Sequence, residues 1–374
     1  MDFALTVDQR LLRDATRDFL HKEAPLTSVR ELGQRGLGFD RDWWQRGASL
    51  GWTSMLVPDP DPDQGQSAGL LDLIIVAEEM GRMVSPGPLL AVNVVAAALA
   101  EASTADAHSE AILGLVSGAV LASCAFYEAG KGWDSASPAL RAEPDGSEIV
   151  LTGTKDLVES GDQADHFLVT ARGPAGLAEY LVPATAPGVT VTALASLDLV
   201  RRYARVTFDG VRIAATLLVV DGEEALPALE RQLQRAVVLQ CAELVGVVER
   251  TFEFTVQWMF DRYTFGRPLA SYQALKHRMA YMKMWLEACQ GTMAAAAKAV
   301  HANGADAPEL ISIAKSYIGQ RATDIVQECV QLHGGLGLTW EHDLHLYLRR
   351  ATVNRSTWGT PSDHRQRLAA LVGM

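Results

Sequence analysis

The chain has 374 residues, long enough for two or three domains. Hydrophobic residues make up 48% and charged residues 21%, the balance of an ordinary globular chain. The formal net charge of −12 gives no sequence-independent attraction to nucleic acid or anionic membrane, which argues against both as partners, while a local basic pocket for an anionic cofactor stays open.

The first third reads as helical. "MDFALTVDQR" has an early acid and no apolar core, so no signal peptide is expected. Thr6 and Gln9 have capping-box spacing ahead of "LLRDATRDFL", where Leu11, Leu12, Ala15 and Phe19 recur at helical intervals. "DRDWWQRGASLGW" is a second amphipathic piece, and "VPDPDPDQGQSAG" predicts a loop. "LLDLIIVAEEMGRM" and "LLAVNVVAAALAEA" predict two more helices; the apolar run of the second is about twelve residues, too short to span a bilayer.

From about residue 119 the period changes. "AVLASCAFYE", "SEIVLTGTKDLVES", "HFLVTAR", "EYLVPA", "VTVTAL" and "ARVTFDGVRI" are short, β-branched and separated by turn residues, which predicts an antiparallel sheet. From about 224 long helical segments return, at 224–264, 271–302, 307–333 and 341–355, and suggest a four-helix bundle. The predicted domains are 1–118, 119–223 and 224–374. An α–β–α order without alternating βαβ units is an α+β class and argues against a Rossmann fold. Cys124, Cys241, Cys289 and Cys329 have neither zinc nor redox spacing, and read as reduced, buried thiols of a cytoplasmic protein.

Two segments carry most of the remaining information. "DRYTFGRPLASYQALKHRMAYM" (261–282) joins two long helices, and "VQLHGGLGLTWEHDLHLYLRRA" (330–351) contains G-G-x-G. That glycine set follows a helix rather than a strand, so alone it reads as a turn needing positive φ. Together the two segments resemble the acyl-CoA dehydrogenase family, with its Arg-x-x-Phe-Gly…Gln and Gln-x-x-Gly-Gly-x-Gly motifs. "EEMGRMVSPGPLL" and "LTGTKDLVESGDQAD" resemble its N-terminal helix and middle domain.

The resemblance implies an N-terminal helical domain, a middle antiparallel β-barrel and a C-terminal four-helix bundle. It implies FAD at a subunit interface, an acyl-CoA substrate and an electron-transfer flavoprotein as acceptor. Arg262 matches the arginine beside the FAD pyrophosphate, where a guanidinium fork suits phosphate oxygens. Thr264 and Phe265 match residues that hold and cover the adenosine-diphosphate tail, and Gln273 matches a polar contact to it. Gln331, Gly334 and Gly335 match the second tail-binding segment, and Thr360 a further cofactor contact. His277 and His333 read as packing or capping residues.

The pattern then breaks. The family's proton abstraction needs a positioned base, and most members place a glutamate directly before a Gly-Thr pair. Here that position is Trp358, followed by Gly359 and Thr360. An alternative placement on the first bundle helix falls on Ala236 or Val237. Glu243 lies roughly 10 Å further along that helix and, like Glu249 and Glu253, reads as a pairing residue. Leu157 and Glu159 stand where the family usually has a tryptophan and a threonine against the flavin, and an ionised Glu159 would oppose charge on reduced flavin. No catalytic residue is therefore assigned.

Three readings follow. The chain is a base-less partner in a two-gene, α2β2 enzyme, a type known from actinobacterial steroid side-chain degradation. Alternatively it is a self-sufficient homotetramer using Asp261, Glu159 or Asp363 as base, or a binding relative without redox chemistry. "EHDLH" puts His342 and His345 near Glu341, but without a third convergent ligand it reads as a solvated helix start, and no metal is expected.

Overall fold

The computed structural model describes residues 5–58 and 69–374. Most of the predicted loop "VPDPDPDQGQSAG" and the first four residues lie outside them.

Among the described residues, six α-helices open the chain: α1 (Val7–Glu23), α2 (Leu26–Gln34), α3 (Arg41–Ala48), α4 (Leu70–Arg82), α5 (Leu89–Glu101) and α6 (Ser109–Val116). The Thr6–Gln9 capping box forms as expected. Every residue of α5 from Leu89 to Leu99 is buried, which is why its sequence shows no polar face.

The middle segment builds β1 (Ala122–Ala125), β2 (Arg141–Asp145), β3 (Glu148–Glu159), β4 (His166–Gly173), β5 (Gly176–Pro183), β6 (Val189–Leu194), β7 (Tyr203–Ala214) and β8 (Leu218–Asp221). Pairing runs β6-β7-β3-β2-β4-β5-β8, with β1 added to β4. Two pairings depart from the antiparallel expectation: β1 and β2 both run parallel to β4. The β2–β3 hairpin intervenes between β1 and β4, so their connection is a crossover rather than a tight turn. Val189 and Val191 of β6 and Leu218 of β8, from opposite edges, pack on one core containing Phe167, Phe208 and Val206, so the sheet rolls around its own interior.

The C-terminal part contains α7 (Ala225–Asp261), a two-residue hairpin of β9 (Tyr263–Thr264) and β10 (Arg267–Pro268), α8 (Gln273–His301) and α9 (Ala307–His333). The fourth predicted bundle helix is shorter and later than expected. It is α10 (Leu344–Ser356), followed after a four-residue break by α11 (Pro361–Leu371). A 3-10 turn over Gly334–Leu338 takes up the preceding chain, so "EH" precedes α10 rather than opening it.

A second, larger core combines α4 and α5 with α7, α8, α9 and α10. The sequence suggests three domains; packing joins the first and third around one interior. Their closest approach is backbone on backbone. A Cβ on Gly81 would lie 2.1 Å from the Glu243 carbonyl oxygen, and one on Gly246 would lie 1.9 Å from that of Glu78.

Candidate functional site

The α10–α11 break is the "TWGT" segment, Thr357–Thr360. Trp358 and Gly359 have φ of +57° and +85°. Two successive left-handed residues stop α10, and Thr360 with Pro361 starts α11. Gly359 is required twice over: by its φ, and because a Cβ there would lie 2.6 Å from His364 Nε2 and 2.9 Å from Trp133.

Between this break and the sheet lies a cavity of about 620 Å³. Cys124, Phe126, Glu159 and Tyr203 form its buried floor, with Leu157 and Trp358 as walls and Lys131, Asp134 and Arg367 at the solvent side. The Trp358 ring meets Phe126 edge-on at 6.3 Å. Its carbonyl accepts a hydrogen bond from His364 Nε2 at 2.9 Å. Burial pushes the His364 pKa down to about 4, which keeps the imidazole neutral with its proton on Nε2. Thr357 Oγ1 accepts from Gln240, whose amide oxygen binds the buried ammonium of Lys315. Burial lowers the Lys315 pKa to about 8.

The Trp133 ring packs on His364 at 4.4 Å, tilted by 35°, with the Arg367 guanidinium 5.5 Å from its ring. Its loop is cinched at the base by Glu128, which accepts from Lys155 Nζ at 2.7 Å and from the Ala139 and Leu140 amides at 2.6 and 3.0 Å. The sequence reading passed over Trp133 and His364. The signal was a lone aromatic in a Gly/Ser loop, and an imidazole one turn into a capped helix.

The carboxylates weighed as substitute bases separate sharply. Asp363 accepts from the Thr360 amide and hydroxyl, both at 2.8 Å, in a capping box. Asp261 is exposed, accepts from Gln257, and is outside the cavity. Ala236 and Val237 are fully buried away from it. Glu243 lies in a buried ion cluster, 2.6 Å from Arg350 Nη1 and 2.8 Å from Arg201 Nη2, with Asn354 donating at 2.7 Å. Burial would raise its pKa, but the two guanidiniums outweigh that and hold it below the ordinary range. Arg350 also grips Asp198 at 2.6 Å. Glu249 and Glu253 pair with Arg82, as expected of bundle residues.

Glu159 alone of the weighed carboxylates reaches the cavity without a hydrogen bond from any described residue. Burial raises its pKa, against the pull of the Arg201 guanidinium 3.5 Å away.

Of the eight cofactor residues expected from the sequence, Thr360 lines this cavity and the other seven do not. Those seven gather at the end of the bundle. Arg262 ends α7 with its guanidinium 5.8 Å from the Trp258 ring. Trp258 stacks on His333 at 5.1 Å and donates to the Leu332 carbonyl, joining the end of α7 to the end of α9. Thr264 and Phe265 belong to the β9–β10 hairpin, whose turn residues Phe265 and Gly266 both have positive φ. Phe265 is 93% exposed. Gln273, the first residue of α8, and Gln331, Gly334 and Gly335 are also exposed. Arg262 has no carboxylate partner among the described residues, and Cβ atoms on Gly334 or Gly335 would meet open space. An unpaired guanidinium beside accessible backbone suits a phosphate-bearing tail.

His333 packs as expected, its Nδ1 donating to the Cys329 carbonyl at 2.8 Å. His277 is simply exposed. The "EHDLH" segment is less solvated than expected, because Arg30 of α2 docks on it: it donates to the Trp340 carbonyl, Asp343 and His345. His345 stacks on Trp340, whereas His342 faces His333. All four cysteines are free and buried.

No helix among the described residues is long and apolar enough to cross a membrane. Three consecutive family models match the chain: the acyl-CoA dehydrogenase N-terminal domain over residues 6–119, the middle domain over 123–211 and the C-terminal domain over 226–372. The acyl-CoA dehydrogenase IpdE2 of Mycobacterium tuberculosis (strain ATCC 25618 / H37Rv) is 29% identical over 371 residues, spanning 98% of this chain and 97% of that protein. Among solved structures, a variant of the Tcur3481-Tcur3483 steroid ACAD is 29% identical with a TM-score of 0.88, covering 98% of each chain. A chain of the ChsE4-ChsE5 complex from Mycobacterium tuberculosis is 26% identical with a TM-score of 0.88, covering 100% of this chain and 99% of that one. With all three domain models matched in order, the chain belongs to the acyl-CoA dehydrogenase family, whose cofactor is FAD.

Proposed function

We propose that this chain is the base-less subunit of a heteromeric acyl-CoA dehydrogenase, arranged α2β2. A second, base-bearing chain of the same family completes the enzyme. Arg262, Gln273 and Gln331, with Thr264, Phe265, Gly334 and Gly335, would hold the tail of a FAD whose ring lies in that partner. The reaction is α,β-dehydrogenation of an acyl-CoA thioester, with FAD as hydride acceptor and an electron-transfer flavoprotein downstream. The observation that carries this reading is Trp358, an indole without a basic lone pair, at the position of the family's glutamate. The engagement of Asp363 and Glu243 elsewhere supports it. So does the absence from one cavity of the seven tail residues. Similarity to a steroid ACAD and to a two-protein complex favours steroid or other lipid catabolism and a heteromeric assembly.

The homotetrameric alternative leaves Glu159 as base, and its carboxyl faces Arg201 at 3.5 Å on the edge of the Arg201–Glu243–Arg350 cluster, which works against it. Co-expression with a base-bearing member of the same family should yield a yellow α2β2 complex with one FAD per two subunits. The chain alone should turn over no acyl-CoA. A yellow, fully active homotetramer of this chain would overturn the proposal, and a flavin-free complex would favour the non-redox relative.

A further inference from the structure

A pocket of about 220 Å³ opens on the N-terminal helices and shares no residue with the cavity beneath the α10–α11 break. α2 and α3 supply most of its lining, with Ala24 just after α1 and Pro86 between α4 and α5. Buried Ala24, Val29, Trp43 and Pro86 make an apolar floor. The volume is below that of pockets for drug-sized molecules, so an occupant is small.

The polar lining divides into spent and unspent groups. Asp40 caps α3 by accepting from the Trp43 amide at 2.9 Å, and Arg46 pairs with Glu23 at 3.0 Å. The side chains of Ser28, Glu31 and Arg35 have no hydrogen bond or ion pair among the described residues. The Trp43 indole Nε1 is buried without an acceptor, on a side chain only 4% exposed. A buried donor of that kind ordinarily has a partner.

Glu31 and Arg35 decide the class of ligand. An acid followed four residues later by a base is the order and spacing in which helix charges pair. Glu31 and Arg35, in α2 and at its C-cap, have that spacing, yet they do not meet; both are exposed and line the pocket. A simple carboxylate bound there would face Glu31 as a like charge, and a simple amine would face Arg35 as one. A zwitterion satisfies both, and the apolar floor asks for an aliphatic body.

We propose that this pocket binds a small α-amino acid with an aliphatic side chain. Its carboxylate pairs with the Arg35 fork, its ammonium with Glu31, and its side chain lies against Trp43. Ser28 Oγ and Trp43 Nε1 are the further donors. The inference is independent of the base-less role, since none of these residues belongs to the cofactor or catalytic positions.

Three probes of one shape separate the charges: L-leucine, 4-methylpentanoate, which lacks the ammonium, and 3-methylbutylamine, which lacks the carboxylate. Each is titrated calorimetrically at low salt and pH 7 into the full chain, with any partner that co-purifies. Wild type should bind leucine about tenfold or more tighter than either half-probe, the worth of one charge-assisted contact. Glu31→Gln should bring leucine down to the affinity of 4-methylpentanoate without weakening 4-methylpentanoate itself. Arg35→Gln should bring leucine down to the affinity of 3-methylbutylamine. Both residues are exposed, so neither variant should change the melting temperature. Trp43→Phe keeps the apolar floor, removes the N–H and should weaken leucine severalfold; should it not fold, the two surface variants decide. No leucine binding to folded wild type at up to about 10 mM would overturn the proposal. So would 4-methylpentanoate binding as tightly as leucine, or leucine affinity unchanged in both surface variants.

Discussion

Trp358 is held by its backbone as much as by its ring. Its carbonyl is fixed by His364, and the next residue must be glycine because His364 and Trp133 fill the space of a Cβ. This dependence on a neutral imidazole is measurable. His364 has a folded pKa of about 4 against an unfolded value of 6.5. Between those values the unfolded chain takes up a proton that the folded chain does not, so stability falls as pH falls through that window. The loss is at most about 3 kcal/mol. His364→Gln keeps a donor and removes the titration. Wild type should lose that much more stability than the variant between pH 7 and pH 4 in denaturant unfolding; parallel curves would refute it. The buried cluster around Glu243 has the opposite character. Its charges compensate one another, so removing one partner is expensive while the intact set adds little. Residue identity made Trp358 legible from sequence. Glu243 reads as a pairing residue from the sequence, but its partners Arg350 and Arg201, and the capping of Asp363 by Thr360, emerge only once helix ends and loops are placed.

The element that organises the molecule is α7, and its contact with α4 depends on two glycines. Gly246→Ala should destabilise by about 1–3 kcal/mol, since the new methyl meets the rigid Glu78 carbonyl and cannot rotate away. Gly291→Ala, in the middle of α8 with nothing within 4 Å, should instead stabilise by about 0.5–1 kcal/mol through helix propensity. Thermal denaturation of the two variants should give shifts of opposite sign; two shifts of the same sign would contradict the contact geometry. Long periodic segments such as α7, α8 and α9 were legible nearly to their ends. The polar strand β2, with Pro144 and four charged or small neighbours, was not, because its pairing comes from β3 rather than from its own β-propensity. The sequence predicts a helix over 341–355 and no element for α11, because the break before α11 depends on φ values that one sequence states only weakly, through Gly359 and Pro361.

At the scale of the whole chain, the seven tail residues and the cavity occupy separate places. In the proposed complex, Arg262→Ala should therefore lower retained FAD severalfold after gel filtration without changing the melting temperature of this chain alone, because the exposed guanidinium makes no ion pair among the described residues. Arg262→Lys should recover only part of the binding, lacking the planar fork. Unchanged flavin content in both variants would remove Arg262 from the cofactor site. The shared core of the first and third segments also governs the order of events on the ribosome. α5 is apolar on every side and emerges with its covering helix, α7, still to be made behind the entire sheet. At typical synthesis rates that leaves its surface uncovered for roughly 10–30 s. The nascent chain therefore carries a sticky helix without its α7 cover throughout synthesis of the sheet, and its yield should depend on holdase chaperones more than its finished stability implies.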